Sequence, residues 1–416
     1  MSIDEQVLSV GDVIQLGATT LELATPMAQP PASSAVRDRA EIANATSMQV
    51  LPTLPARDAA ALRSEFPVCE RVAYLNAGSD GPVPRRALAA ASARMGLVLE
   101  QGRTGDENAR QLRALDAALR GRYAALLGCD VDEVALTGST HDGINTVLAG
   151  LHLRRRDEIL TSDEEHISLI APLAAVAKRN GVDVRVAPLE ELAGEVGART
   201  RLVACSHVSW MTGRVADVAA IKQTGAPLLL DGAQALGAVA VDVAALGCDY
   251  YASSGQKWLC GPDGSGCLFV RRDRLHTITP PWPSVLSLGD AQDPSQLVFH
   301  ASARRFDTTP VSGPLATWAL ASLEVLGAAG LRWVHDRGAE LAAALARELA
   351  ERGLSVAPRG PSTLVSWAAQ DPEAVVARLA ERSVVVRSIL ARGLVRASVG
   401  AWNSEEDLAR LVAAGP

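Results

Sequence analysis

The chain has no apolar run of the ~18–20 residues that a membrane span needs, and no basic segment followed by an apolar one in its opening MSIDEQVLSVGDV. Neither a membrane protein nor a signal peptide is expected. Positive charge is not in excess either. Forty Lys and Arg stand against 47 Asp and Glu, giving a net charge of −7 and a pI near 5.6. That balance argues against a nucleic-acid surface and fits a cytoplasmic protein. The six cysteines (Cys69, Cys129, Cys205, Cys248, Cys260 and Cys267) are scattered with no CxxC pair. Reduced, mostly buried thiols are expected, and no metal site is assigned. The run GPDGSG, Gly261 to Gly266, lacks the GK[ST] ending of a P-loop and is read as a tight turn.

What is present is a large apolar fraction, 48% of 416 residues, enough for a large core in two domains. Residues 1–60 are broken by Pro30-Pro31, Pro52 and Pro55. They are read as a poorly packed extension with a short strand at Val13–Leu23. The compact body begins at YLNAGSDGPVP, Tyr74 to Pro84, where glycines and prolines force a turn before a helix at Arg85–Gln101. Short apolar strands then alternate with helices: EVALTG, DEILTS, VDVRVAPL, RLVACSHVS, APLLLDGA, YYASSG and GCLFVRR. Such alternation implies an α/β fold with a mostly parallel sheet of seven strands, covered on both faces. Beyond Pro314 the pattern changes to helices at Leu315–Gly327 and Leu331–Arg352. Strands follow at Leu364–Trp367, Val384–Arg387 and Leu394–Ser398, with helices at Pro372–Arg382 and from Ser404. The division expected is an extension (1–60), a large domain (61–313) and a smaller C-terminal α+β domain (314–416).

One constellation carries chemistry. Lys257 lies in the turn-rich SSGQKWLCGPDGSG, 26 residues after Asp231 and 23 after Gln234 in APLLLDGAQALG. In a parallel sheet, ligands sit at the carboxyl ends of the strands, where His166, His207, Asp231 and Lys257 fall. A lysine in a Ser/Gly turn, preceded by a strand-end aspartate, is what pyridoxal 5'-phosphate (PLP) requires. The lysine holds the aldehyde as a Schiff base, and the carboxylate pairs with the pyridinium nitrogen. Gln234, one turn on from Asp231, reaches the ring hydroxyl.

From Tyr74 onward these residues and several further motifs resemble the class V aminotransferase-type PLP enzymes of fold type I, the group of cysteine desulfurases, isopenicillin N epimerase and C–S lyases. The resemblance implies roles residue by residue. GSTHDG, Gly138 to Gly143, is similar to the phosphate-holding turn at a helix N-terminus, with Thr140 or, in the neighbouring register, His141 at the family threonine. His166 in DEEHISLIAP resembles the histidine stacked on the cofactor ring. Ser254 resembles a phosphate-contacting serine, and Gln256 stands where desulfurases usually carry a phosphate-binding histidine. In SHVSWMTG, Trp210 replaces an asparagine that touches ring or substrate. Thr309 in RRFDTTP resembles a threonine that reaches the phosphate of a neighbouring subunit, which implies a homodimer with shared active sites. Arg396 in LVRASVGAWNSEEDL resembles the arginine that grips the substrate carboxylate.

An absence narrows the reaction. The family's persulfide cysteine belongs between the VR strand and the arginine strand, where this chain has SILARG, Ser388 to Gly393, and no cysteine follows Cys267. The expected activity is β-elimination on a cysteine-derived amino acid, a C–S lyase, with Lys257 as base. An aminotransferase, an epimerase, an atypical desulfurase and a catalytically inactive binding module stay open as alternatives.

Overall fold

A computed structural model describes residues 57–290 and 297–416, together with the backbone of two short strands, Val13–Leu16 and Thr19–Glu22. The chain divides into two compact units, residues 1–52 and 53–416. In the first unit the two short strands pair antiparallel, Val13 opposite Glu22 and Leu16 opposite Thr19. The single strand expected over Val13–Leu23 is therefore a hairpin. The remainder of the expected extension up to residue 56 lies outside the described residues.

The second unit is built on a seven-stranded sheet. Its strands are β1 (Val134–Thr137), β2 (Glu158–Ser162), β3 (Asp183–Ala187), β4 (Thr200–Ser206), β5 (Leu228–Asp231), β6 (Tyr250–Ser254) and β7 (Gly266–Val270), in the spatial order β1-β7-β6-β5-β4-β2-β3. The pairs β2–β3, β2–β4, β4–β5 and β5–β6 are parallel, and β7 runs antiparallel to both neighbours. Side chains alternate across each strand. Val203, Cys205, Leu228, Leu230 and Tyr251 enter one core with Leu119, Tyr123 and Leu127 of a helix. Leu202, Ala204, Leu229, Tyr250 and Ala252 enter the other with Ile144, Val147, Leu169 and Leu173. Both faces are covered, which is why the strands read as continuous apolar runs.

The helices that matter for the site are α1 (Arg85–Gln101), α2 (Asp106–Leu127), α3 (Thr140–Gly150), α4 (Ile167–Asn180) and α5 (Gly313–Ala329). The sequence reading left α2 unassigned. Its first turns are charged and exposed, and its buried residues (Leu119, Arg120, Tyr123, Ala124 and Leu127) are confined to the second half, so no stripe runs its full length. A C-terminal sheet of β8 (Leu364–Ala368), β9 (Arg387–Ile389) and β10 (Leu394–Ser398) has the order β8-β10-β9, all antiparallel. The strand expected over Val384–Arg387 is split. Val384–Val385 pairs parallel with Ala73–Tyr74, and Arg387–Ile389 pairs with β10. That split brings the turn after Tyr74 alongside Arg387. The last helix, Glu405–Ala413, starts at Ser404 with Asp407 completing the capping box, as its sequence implies.

Asp307 ties the segment before α5 to the sheet. Its carboxylate accepts two hydrogen bonds from Arg120, at 2.7 and 3.2 Å, and one from the Leu136 backbone N–H at 3.0 Å, all out of water. Removing one member of such a pair strands a buried charge. Asp307→Ala is expected to lower unfolding stability by roughly 3 kcal/mol, the low end of the usual range because Asp116 still pairs with Arg120. The urea midpoint measures this, and an unchanged midpoint contradicts it.

Candidate active site

The carboxyl ends of β1, β2, β4, β5 and β6 converge on one cavity of about 290 Å³. Its lining includes Thr140, His141, His166, Trp210, Asp231, Gln234, Ser254, Gln256, Lys257 and Arg396, so ten of the eleven residues given a role from the sequence meet there. Thr309 does not. It is exposed and lines a separate cavity with Thr137, Gly138, Asp142 and Ser265. His207 is buried behind the sheet end, its Nδ1 3.1 Å from the Tyr251 hydroxyl, outside the cavity.

Asp231 ends β5, with one carboxylate oxygen accepting the Ala233 N–H at 2.8 Å. Burial raises its pKa, and Lys257 acts against that shift. The Gln234 side chain is fixed at both ends. Its Nε2 donates to the Gly78 carbonyl at 2.7 Å, and its Oε1 accepts from Trp258 Nε1 at 3.0 Å. Lys257 follows β6 and is half-buried. Burial pulls its pKa down to about 8, Asp231 opposing and Arg396 reinforcing the shift. Above that pH the amine is a free nucleophile and base.

His166 caps α4. The Ser168 N–H donates to its Nδ1 at 3.2 Å, which leaves the proton of the neutral ring on Nε2. Burial, then the nearby cations, hold its pKa down to about 4. Its ring meets Trp210 edge-on at 4.8 Å. Arg396, in β10, is 0% exposed. Its partners are neutral oxygens: the Trp210 carbonyl at 2.8 Å and the Ser79 hydroxyl at 3.4 Å. Its Nε has no partner among the described residues. Burial, and the neighbouring Arg387, push this guanidinium down to about 9.

Three groups escaped the sequence reading. Arg387 lines the cavity, donates to Ser79 Oγ at 3.2 Å and lies over the Trp210 ring at 5.6 Å. The turn Gly78-Ser79-Asp80 forms the opposite wall. It presses on the lysine loop: the Gly81 N–H donates to the Gln256 carbonyl at 2.7 Å, and a Cβ at Gly81 would sit 2.0 Å from the Lys257 carbonyl oxygen. Glu165 is buried beside the end of β4. It accepts from the Ser206 N–H at 3.0 Å, the Ser206 hydroxyl at 2.6 Å and the Ser162 hydroxyl, and burial pushes it up to about 7. The turn had one local signal, its paired glycines. Arg387 and Glu165 had none, because both acquire a role only through tertiary approach.

Whether PLP suits this cavity is tested by atoms that lack partners. Thr140 Oγ1, at the start of α3, and Ser254 Oγ are buried with no hydrogen bond among the described residues, as is the Gln256 side-chain oxygen. Unpaired buried hydroxyls at a helix N-terminus fit a bound phosphate. Asp231 and Lys257 fit the ring nitrogen and the aldehyde. Thr140 is buried, whereas His141 is exposed at 3.8 Å from Asp142, so the cavity geometry favours Thr140 in the phosphate-binding register.

Residues 76–411 match the model of the class-V aminotransferase family, and the chain belongs to that family. It is 34% identical over 251 residues to isopenicillin N epimerase of Amycolatopsis lactamdurans, covering 56% of this chain and 62% of that one. It is 33% identical over 244 residues to a cysteine desulfurase of Salmonella typhimurium, covering 53% and 60%. The matched stretch thus spans about three fifths of these curated relatives. Among solved structures, the cystine C–S lyase C-DES in complex with its reaction product cysteine persulfide gives a TM-score of 0.80 at 29% identity, covering 84% of this chain and 100% of that one. In another structure of C-DES, glycine is covalently linked to the PLP cofactor. The chain has the fold-type-I architecture of this family of PLP enzymes, and its cavity residues fit the cofactor that C-DES carries.

Two outcomes follow from this geometry. Ser254→Ala is expected to weaken PLP affinity by about tenfold, the worth of one hydrogen bond to a charged group; equilibrium dialysis measures it, and unchanged affinity contradicts it. In cofactor-free protein, reductive methylation of Lys257 is expected to rise with pH through about 8, because the neutral amine reacts and its pKa lies there. A midpoint near that of ordinary lysine, ~10.4, contradicts the depressed value.

Proposed function

We propose that this enzyme is a C–S lyase, eliminating a sulfur group from Cβ of a cysteine-derived amino acid. The observation that carries the reading is a fully buried guanidinium, Arg396, with no carboxylate partner among the described residues, in a cavity whose described lining contains an amine and no thiol. A buried cation without an anion calls for one from the ligand, and an α-carboxylate supplies it. Cys260, the cysteine nearest to Lys257 in the chain, is buried, and burial raises its pKa well above the ordinary range. It therefore makes a poor thiolate nucleophile for persulfide chemistry.

When bound, PLP acts as the electron sink that makes the Cα–H bond acidic. The protein's share is positioning and proton handling. Arg396 binds the α-carboxylate in two parallel bonds. Thr140, Ser254 and Gln256 would hold the phosphate. Asp231 would pair with the ring nitrogen and Gln234 would meet the ring hydroxyl. His166, neutral with its proton on Nε2, would lie against the ring, backed by Trp210. Lys257 takes the Cα proton. The Cβ–S bond breaks with its electron pair leaving on sulfur, and Lys257 returns the proton to that sulfur. The remaining 2-aminoacrylate takes up water to give pyruvate and ammonium.

Arg387 refines the substrate. It is a second cation on the cavity wall with no ion pair among the described residues, and it supports a substrate that carries a second carboxylate beyond its sulfur, as cystine does. Thr309 supports a homodimer. It is exposed and outside the Lys257 cavity, so any contact with a cofactor comes from another copy. Cytoplasmic residence belongs to the same proposal and rests on the six unpaired thiols.

The test is to incubate the holoenzyme with cysteine, cystine and an S-alkylcysteine, and to measure pyruvate, alanine and sulfide. Pyruvate with ammonium and no added 2-oxo acid is expected. Alanine with sulfide indicates a desulfurase. Turnover only with a 2-oxo acid indicates an aminotransferase, and inversion at Cα without pyruvate an epimerase. Lys257→Ala is expected to abolish turnover. Arg396→Lys is expected to lower kcat/KM by about tenfold or more, since one ammonium cannot reproduce the bidentate grip.

A further inference from the structure

Resting on the lyase reading, the mouth of the cavity specifies the far end of the substrate. The turn from Asn76 to Gly81 is pinned along its backbone. The Ser79 N–H donates to the Asn76 carbonyl at 2.9 Å, the Gly81 N–H to Gln256 at 2.7 Å, and the Tyr74 hydroxyl to the Asp80 carbonyl at 2.9 Å. The Asp80 side chain is treated differently. It lines the cavity, yet its carboxylate takes no hydrogen bond and no ion pair among the described residues.

Exposure orders the charged groups by depth. Arg396 is fully buried, Arg387 is half-buried, and Asp80 is exposed at the rim. Arg387 and Asp80 line one cavity with no ion pair within 4.0 Å between them, although the charges of Lys257 and Arg387 both reach the Asp80 carboxylate. A ligand held by an anion at Arg396 and leading outward meets in the same cavity a cation and then an anion, neither of them in an ion pair among the described residues. Desolvation, then the charge of Asp263, raise the pKa of the Asp80 carboxyl, while Lys257 and Arg387 act against that rise, and a ligand ammonium at Asp80 adds to the same opposition.

We propose that Asp80 is a specificity-determining residue that binds an ammonium group at the distal end of the substrate, so that Asp80 and Arg387 together recognise a zwitterionic amino-acid end. The substrate class is then a diamino dicarboxylic acid bridged through sulfur, with cystine as the probe. A thioether ending in a carboxylate alone satisfies only Arg387.

The experiment compares cystine with S-carboxymethylcysteine on the wild-type holoenzyme and on Asp80→Asn. The readout is the ratio of their kcat/KM values for pyruvate release. The ratio is expected to fall by about tenfold in Asp80→Asn, the worth of one charge-assisted contact, and to invert toward S-carboxymethylcysteine in Asp80→Lys. An unchanged ratio, including a uniform loss on both substrates, overturns the assignment, because a structural or proton-transfer role moves both together. A parallel titration separates this inference from the reading beneath it. Dissociation constants of the same two compounds are measured by cofactor absorbance in the Lys257→Ala holoprotein, with and without Asp80→Asn. If the wild-type enzyme releases no pyruvate from any substrate, the lyase reading fails. The ratio of dissociation constants then still decides whether Asp80 selects the ammonium: a drop of about tenfold supports it, and no change refutes it.

Discussion

A guanidinium buried to 0% exposure, with no carboxylate partner among the described residues, organises the whole site. Arg396 is anchored by neutral oxygens alone, and its pKa is lowered by desolvation and by the second arginine nearby. Such a charge is costly unless a ligand completes it. The surrounding structure is what keeps it in place. β10 carries it, pairing on one side with β8 and on the other with β9, and the Trp210 carbonyl receives its Nη1. The same field acts on the other groups. Together with burial, which is the larger cause, it disfavours protonation of Lys257 and His166, so the amine is a free base above about pH 8 and the histidine is uncharged.

Backbone approach supplies the second constraint. Three segments far apart in the chain meet over the sheet ends: the turn after Tyr74, the lysine loop after β6, and β9–β10. Ala73–Tyr74 pairs with Val384–Val385, which sets the turn beside Arg387, and Gly81 allows that turn to touch the Lys257 carbonyl. A side chain at Gly81 would force the two walls apart. The cavity is therefore shaped by close contact between main chains, and its charge pattern is set by the side chains that those contacts aim inward.

This division explains how much was legible in the sequence. Asp231, Gln234, Ser254, Gln256 and Lys257 lie on two neighbouring strands and the turns that follow them, so local pattern alone brings them together. The alternating apolar strands gave the parallel sheet, and β7 is antiparallel because it returns directly from the lysine turn to pair with β6 and β1. Arg387 and Asp80 were hidden, since each looks like an ordinary surface charge until two distant segments meet. Trp210 reads from the sequence only as the replacement of an asparagine that touches ring or substrate. Its ring edge on His166 and its place beneath Arg387 put it in the pocket wall. The strand break at Val386 was also invisible, because β-propensity runs unbroken through Val384–Arg387 while the two halves join different sheets.

Everything in this account depends on Lys257 being the residue that engages the cofactor carbonyl. Borohydride reduction of the holoenzyme followed by peptide mapping tests that directly. A single pyridoxyl-modified peptide containing Lys257 is the predicted result. Modification at another lysine, or none in protein that retains PLP, would contradict it.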